Sequence, residues 1–138
     1  MVIIGVDYGD VRTGVSVCDK FETMASPVCV ITQRNSEKLI DEIIAKTKAY
    51  NPEYIVVGLP KNMDSTLGER AQKCSEFAAS LSEKYGIPFS MQDERLTTVS
   101  AHIALNNTNV RGKKRKDVVD AVSAVMILQD YIDSKKRG

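Results

Sequence analysis

Residues 2–18 read VIIGVDYGDVRTGVSVC, and this stretch decides the fold. Residues 2–6 are a short, β-branched apolar run that ends in Asp7, a pattern typical of a buried strand. Turn-forming residues follow at 8–14, and the apolar pattern resumes at 15–18. Two strands joined by so short a connection form an antiparallel hairpin. The chain therefore begins with a β-hairpin whose first strand is closed by a carboxylate.

Beyond the hairpin, hydrophobic periodicity predicts a third strand and then alternating helices and strands. The predicted elements are a strand within 27–32, a helix capped by Ser36, a strand at 54–57, a helix opened by the capping box Thr66-x-x-Glu69, a strand at 88–91, a short helix from Thr97 or Thr98, and a final helix from Asp117 to about Asp133. This order predicts an α/β fold with a mixed sheet, antiparallel at the start and parallel afterwards, and helices on both faces.

The composition is that of an ordinary globular domain. The chain has 138 residues, of which 43% are hydrophobic and 27% charged, and its net charge is +1. These values fit one domain spanning 1–138 and argue against a disordered, collagen-like or membrane protein. Because the net charge is close to zero, any preference for a charged partner depends on where the charges lie.

Cysteine usage and the N-terminus bear on the cellular compartment. Cys18, Cys29 and Cys74 are an odd number of cysteines with no C-x-x-C pair. Their spacing fits neither a disulfide framework nor a zinc site, and it suits a reducing environment. The N-terminus lacks the basic region and the cleavage site of a signal peptide. We therefore expect a cytoplasmic protein that has no membrane partner.

Two carboxylates follow predicted strands. Asp7 ends the first strand and Glu94 follows the strand at 88–91, and open α/β sheets bind ligands at the carboxyl ends of parallel strands. Asp120 is a third candidate if the final helix packs across the sheet. A second interpretation stays open, in which Asp117 is the N-cap of that helix and Asp120 its N3 residue. Three converging carboxylates suit hard divalent cations such as Mg²⁺, and a pair of these ions can activate water and stabilise the leaving oxygen of a phosphodiester.

Four blocks of sequence resemble the YqgF family, also called the RuvX or Holliday junction resolvase-like family. They are Asp7-Tyr8-Gly9-x-x-Arg12-x-Gly14-Val15, Val57-Gly58-Leu59-Pro60-x-Asn62-Met63-Asp64, Asp93-Glu94-Arg95-Leu96-Thr97-Thr98 and Arg115-Lys116-x-x-x-Asp120-x-x-x-Ala124-x-x-x-Leu128-Gln129. The blocks occur in order along essentially the whole chain. The sequence departs from the family pattern at Ser65, where Gly is common, and at Ser123, where Ala is usual, and neither departure changes an acidic residue.

The resemblance implies an RNase H-like fold and a metal-dependent nuclease that uses Mg²⁺ or Mn²⁺. It also implies a role in processing the 5′ end of precursor 16S rRNA, and some family members are described as cutting Holliday junctions. The acidic positions of the family fall on Asp7, Glu94 and Asp120, which would be the catalytic residues and the metal ligands. Whether Asp93 or His102 takes part stays open.

Basic residues flank these acids. Residues 111–116 carry five cations in six positions, directly before the predicted helix that bears Asp120. A flexible basic loop there could bring a polyanion to the acids, although a solvated loop with no ligand is the more common fate of a charge run. Tyr8, next to Asp7, could stack on a base. The predicted nucleic-acid-binding residues are Arg12, Lys61, Arg95, Lys113, Lys114, Arg115 and Lys116.

Several alternatives remain open on the sequence alone. An actin-like or sugar-kinase ATPase also begins with a strand followed by Asp and Gly, but such proteins use two domains and this chain supplies one. A non-catalytic nucleic-acid-binding domain would keep the fold without the chemistry. Within the nuclease class, the partner is either precursor rRNA or branched DNA. A resolvase that makes paired cuts would be a two-fold dimer, and the sequence does not decide between monomer and homodimer.

Overall fold

Five strands form one mixed sheet. They are β1 (Ile3–Asp7), β2 (Arg12–Cys18), β3 (Ala25–Thr32), β4 (Tyr54–Leu59) and β5 (Phe89–Asp93), and their order across the sheet is β3-β2-β1-β4-β5. β1 pairs antiparallel with β2 and parallel with β4, while β3 extends the antiparallel side and β5 the parallel side. The predicted hairpin and mixed sheet are confirmed, and the strand that ends in Asp7 lies at the centre.

The computed structural model describes residues 1–59, 68–93 and 112–137, with the side chains of 93, 112–120 and 136–137 outside that description. Its helices are α1 (Ser36–Thr47), a short 3-10 helix (Lys48–Tyr50), α2 (Glu69–Tyr85) and α3 (Gly112–Arg137). None of the helices in these ranges is long and apolar enough to cross a membrane. The predicted short helix after Thr97 or Thr98 lies outside the described residues.

Two helices begin at positions other than those predicted. The N-cap of α1 is Asn35, whose side-chain oxygen accepts a hydrogen bond from the Lys38 amide at 3.0 Å, so Ser36 is the first helical residue. The N-cap of α2 is Gly68, which makes no side-chain capping bond. Glu69 is therefore the first residue of α2 and not the third residue of a capping box. Asn is as good a cap as Ser, and Gly is also accepted there, so local sequence alone does not rank these neighbours.

Alternation along β1 divides the core into two layers. Ile4 and Val6 pack with the buried cluster beneath α1 and α2, which includes Leu39 and Phe77. Ile3 belongs to the second cluster, beneath α3 on the other face of the sheet. Because successive strand residues point to opposite faces, Gly5 and Asp7 share the α3 face with Ile3. Helices cover both faces, as predicted.

Gly5 lets α3 lie directly against the backbone of β1. A Cβ at residue 5 would lie 2.5 Å from the Ser16 hydroxyl oxygen, 2.8 Å from the Leu128 Cβ and 3.0 Å from the Ala124 carbonyl oxygen. The buried Ser16 hydroxyl donates a hydrogen bond to that same Ala124 carbonyl at 2.8 Å. No side chain larger than hydrogen fits between helix and strand at this point.

The far end of α3 is held at the start of β1. The Tyr131 ring stacks on Tyr54 at a centroid distance of 5.9 Å. The Lys135 ammonium lies 2.7 Å from the Glu22 carboxylate, and the N-terminal ammonium of Met1 lies 3.1 Å from the same group. The hydrogen bonds from Lys135 and from the N-terminus hold the pKa of the Glu22 carboxyl below its usual value. These contacts, together with those at Gly5, show that α3 runs antiparallel to β1.

The contact at Gly5 predicts a large cost for the smallest substitution. Gly5→Ala should lower the free energy of unfolding by about 1–3 kcal/mol, because an overpacked core must shift α3 or the backbone of β1. Adding Ser16→Ala should recover only part of this loss, since two of the three close contacts remain. Urea unfolding measures both variants.

Gly86 supplies the control for this prediction. Its φ is 80° at the end of α2, and nothing lies within 4 Å of an added Cβ. Gly86→Ala should cost about 1 kcal/mol through backbone strain alone. A Gly5→Ala protein as stable as the wild type would contradict the packing argument.

Candidate functional site

The carboxyl ends of β1, β4 and β5 meet at one edge of the sheet, because these three strands run parallel. The strands end at Asp7, Leu59 and Asp93. Open α/β sheets bind ligands at such an edge. The half-buried Asp7 is therefore at the predicted position, and it faces the side of the sheet that α3 covers. Glu94 follows directly after β5 but lies outside the described residues.

The loop after Asp7 is tightly closed. A Cβ at Gly9 would lie 2.0 Å from the Arg12 carbonyl oxygen, so glycine is required there. The Gly9 amide donates a hydrogen bond to the hydroxyl of the fully buried Thr13 at 3.3 Å. Asp7 pairs with Gly14 across the hairpin, and Arg12 precedes Gly14 by two strand residues. The structure thus brings Arg12 and Asp7 to the same edge and the same face.

Tyr8 packs one face of its ring inside the protein. Its ring stacks on Phe77 at a centroid distance of 4.1 Å and an interplanar angle of 7°. The Arg70 guanidinium lies 5.1 Å from the Tyr8 ring centroid. Because Phe77 covers one face of the ring and the Arg70 guanidinium lies nearby, this structure disfavours the suggestion that Tyr8 stacks on a base.

Sequence reasoning missed Arg70. This residue of α2 contacts the Tyr8 carbonyl and the Asp10 carboxylate in the loop that follows Asp7, 62 and 60 positions away in sequence. The predicted capping box at Thr66 would place Arg70 beyond the first turn, so the helix dipole gave no signal for this residue in the sequence. The partner itself is not readable from spacing.

The remaining predicted site residues are described only in part. Lys61, Glu94, Arg95 and His102 lie outside the described residues. Asp120 and the basic residues 113–116 lie on α3, where the backbone is described and the side chains are not. Within the described ranges there is no group of three or more His, Cys, Asp or Glu side chains that could hold a metal ion. Of the three predicted ligands, Asp7 is the one whose side chain is described.

The final helix starts earlier than predicted. α3 begins at Gly112, so Lys113, Lys114, Arg115 and Lys116 belong to its first turns and do not form a flexible loop. The interpretation of Asp117 as N-cap and Asp120 as N3 residue is therefore wrong, since both lie inside the helix. Lys and Arg are strong helix formers, and a dense run of them can extend a helix that tertiary packing already stabilises.

The sequence matches the profile of the RuvX family, described as Holliday junction resolvase, over residues 1–134. The chain belongs to this family. A protein of Lachnospira eligens named "Putative pre-16S rRNA nuclease" is similar to it, with 43% identity over an alignment of 143 positions that covers 99% of this chain and 100% of that protein. A protein of the same name from Clostridium novyi is 41% identical over 134 residues, which span 97% of this chain and 99% of that protein.

A solved structure gives the same fold at low sequence identity. RuvC of T. thermophilus, in complex with a Holliday junction substrate, matches with a TM-score of 0.63 and 14% identity, covering 99% of this chain and 96% of RuvC. The likeness confirms the predicted RNase H-like fold. Membership of the RuvX family and the names of the relatives confirm the predicted family and the nuclease class.

The start of α3 in this RuvX-family chain can be tested with proline. Lys116→Pro should remove about one turn of helix and lower the free energy of unfolding by about 1–3 kcal/mol, because it deletes an amide donor inside α3 and clashes with the preceding turn. Lys113→Pro is the matched control, since the first turn of a helix tolerates proline. Far-UV circular dichroism and urea unfolding compare the two. Equal behaviour of the two variants would mean that the helix starts after residue 116.

Proposed function

We propose that this chain is a metal-dependent nuclease that hydrolyses phosphodiester bonds and processes the 5′ end of precursor 16S rRNA. Residues 1–138 would act as a single nuclease domain in the cytoplasm. The observation that carries this proposal is the position of Asp7, which closes the central strand on the face where α3 packs against Gly5. The names of the relatives support precursor rRNA as the substrate class.

Distances along α3 and β1, measured from their contact at Gly5, support Asp120 as the partner of Asp7. Ala124 of α3 lies against Gly5 of β1. Asp120 precedes Ala124 by four residues, about 6 Å along a helix, and Asp7 follows Gly5 by two residues, about 6.6 Å along a strand. Because α3 runs antiparallel to β1, both steps lead toward the same edge. The two acidic positions therefore fall at the same level.

Alternation along β5 supports Glu94 over Asp93. Met91 packs with the cluster beneath α1 and α2, so Gln92 belongs to the opposite face, which is that of Asp7. Glu94 comes two residues after Gln92, and this spacing would place it on the face of Asp7 if the strand conformation continued by one residue. We therefore propose Glu94 as the third acid.

The donor chemistry fits a hard divalent cation. Carboxylate oxygens are ligands that Mg²⁺ and Mn²⁺ prefer, and Asp7, Glu94 and Asp120 would hold the metal at this edge. When bound, the metal supplies Lewis acidity that activates water and stabilises the leaving oxygen of a phosphodiester, and three carboxylates are enough for a two-metal arrangement. The chain contributes rigidity, because Asp7 sits on the central strand of the sheet and Asp120 on a packed helix.

The basic residues would hold the phosphate backbone. The first backbone N–H groups of a helix lack intrahelical partners and attract anions, and the dipole disfavours cations there unless an anion is close. A polyanionic ligand bound at the start of α3 would offset the cost of placing a cluster of cations in its first turns. Arg12 lies on the Asp7 face at the start of β2. The proposed contacts to phosphate are made by Arg12, Lys61, Arg95, Lys113, Lys114, Arg115 and Lys116.

Four-way DNA is the second candidate substrate. The description of the RuvX family and the junction bound to RuvC favour it. A resolvase that makes paired cuts needs two active sites related by a two-fold axis. Cleavage that depends on dimer formation would favour junctions, and cleavage by a monomer would favour an RNA end. A chain that binds RNA without cutting any substrate would be a non-catalytic binding domain.

Substitution of the acids tests the proposal. Asp7→Asn and Asp120→Asn should each lower the rate of cleavage by at least about 100-fold, because the metal loses a charged ligand. Binding of Mn²⁺ should weaken while the melting temperature stays near that of the wild type. Substrates are precursor 16S rRNA 5′ ends, single-stranded RNA and four-way DNA junctions, each with Mg²⁺ or Mn²⁺. Asp130→Asn, which alters an exposed carboxylate further along α3, is the control. Full metal-dependent activity in Asp7→Asn would exclude Asp7 from the site.

Removal of the basic cluster tests how the substrate is held. Changing Lys113, Lys114 and Arg115 together to Ala should weaken RNA binding and reduce the slope of log affinity against log salt by about 0.7 for each phosphate that is no longer neutralised. The turnover number at saturating substrate should change less than affinity. The matched control changes Lys20, Lys46 and Lys48, three exposed cations near the opposite edge of the sheet. Identical salt slopes in the two triple variants would refute the proposed phosphate-binding role.

A further inference from the structure

Arg70 holds the first residues of the loop that follows Asp7. One guanidinium nitrogen donates a hydrogen bond to the Tyr8 carbonyl oxygen at 2.6 Å, and the other donates to the Asp10 carboxylate at 2.6 Å. The guanidinium also lies over the Tyr8 ring, which stacks on Phe77. We infer that Arg70 is a positioning residue for the proposed nuclease site, which acts by fixing the peptide that follows Asp7.

The chemistry of this contact is specific to arginine. A guanidinium is a planar fork, so it can donate to two acceptors and stack on an aromatic ring at the same time. A lysine ammonium could reach one of the acceptors but could not reproduce the stack and both hydrogen bonds together. The Tyr8 carbonyl belongs to the residue directly after Asp7, so this contact restricts the backbone that orients the Asp7 carboxylate.

The contacts of Arg70 add to other hydrogen bonds that restrain the backbone near Asp7. On the β2 side, the Thr13 hydroxyl accepts the Gly9 amide, and the Val11 carbonyl accepts the Gln33 amide at 2.9 Å. On the α2 side, Arg70 supplies the restraint. Because α2 and α3 cover opposite faces of the sheet, Arg70 acts from behind the strand, and α3 carries Asp120 on the other side.

Arg70 should matter more for chemistry than for stability. The side chains of Arg70 and Asp10 are 36% and 70% exposed, and exposed ion pairs stabilise a fold very little. The geometry of a metal-binding carboxylate is far more sensitive, since loss of an outer support often lowers metal affinity or activity about tenfold or more. This difference separates a positioning role from a structural one.

The test compares Arg70→Gln and Arg70→Lys with Lys84→Gln. Lys84 forms an exposed ion pair with Asp41 of α1 at the other end of α2, so its substitution removes a similar bond away from the site. Arg70→Gln should lower kcat about tenfold and weaken Mn²⁺ binding, with KM changed less than about threefold and melting close to that of Lys84→Gln. Arg70→Lys should not restore kcat. Asp10→Asn should lose less than Arg70→Gln, because the Tyr8 carbonyl bond and the stack remain.

Several outcomes overturn the inference. Wild-type kcat in Arg70→Lys would mean that charge alone suffices. A raised KM at unchanged kcat in Arg70→Gln would make Arg70 a substrate-binding residue. If Arg70→Gln does not fold, Arg70→Lys carries the comparison.

The inference rests on the proposed function, because kcat can be measured only if the chain is a nuclease. Titration with Mn²⁺ distinguishes a failure of the proposed function from a failure of the positioning role of Arg70. A wild-type chain that binds Mn²⁺ but cleaves no nucleic acid would refute the function, while weaker Mn²⁺ binding in Arg70→Gln than in Lys84→Gln would still support positioning. Equal Mn²⁺ affinity in those two variants would overturn positioning. A wild-type chain that binds no Mn²⁺ would overturn both.

Discussion

The contact between α3 and the backbone of β1 at Gly5 is the constraint on which the proposed site depends. At most helix–sheet interfaces side chains separate the two backbones and can repack when the helix slides. Here the Ala124 carbonyl accepts a hydrogen bond from Ser16 and lies against the bare backbone of Gly5. Sliding by one turn, about 5.4 Å, would break this bond and drive a larger part of α3 into the strand. The level of α3 relative to Asp7 is therefore set by backbone contact.

Asp7 is restrained from both sides of the sheet and along the chain. Gly5 before it admits α3 on one face, and Gly9 after it lets the loop turn back against the Arg12 carbonyl. Arg70 holds the same loop from α2 on the other face. The restraints at Gly5 and Gly9 depend on the absence of a side chain, and the third depends on the guanidinium of Arg70. The first two explain why Asp7 lies within a glycine-rich motif. A carboxylate that binds metal needs such rigidity more than it needs burial.

Local patterns predicted the sheet and Asp7 because these depend on neighbouring residues. Alternation and turn chemistry along residues 2–18 indicate a hairpin from neighbouring residues alone. Helix starts are less predictable from local sequence, because Asn and Ser are equally good N-caps and Gly is also accepted at that position, so tertiary packing decides between neighbouring residues. The charge run before Asp117 is typical of a solvated loop, whereas α3 continues through it. Arg70 was missed because its acceptors lie far away in sequence, where spacing carries no information. The roles of Asp7, Glu94 and Asp120 as metal ligands stay a prediction.

The early start of α3 changes how binding and catalysis are related. On a flexible loop, the basic residues could hold a polyanion without affecting the position of Asp120. On α3, Asp120 and the residues from Lys113 to Lys116 belong to one continuous helix. Lys113 and Asp120 are about 10 Å apart along the helix axis. The C-terminal part of α3 is held to the rest of the protein. The Gln129 side-chain oxygen accepts a hydrogen bond from the Ala25 amide at 2.9 Å, and the Lys135 ammonium donates one to the Glu22 carboxylate. The proposed phosphate contacts and the proposed metal ligand Asp120 are thus on the same helix, and the packing at Gly5 sets the position of both. A change that tilts α3 must move both, so affinity and turnover should fall together when the packing at Gly5 is altered, and separately when only the basic side chains are removed.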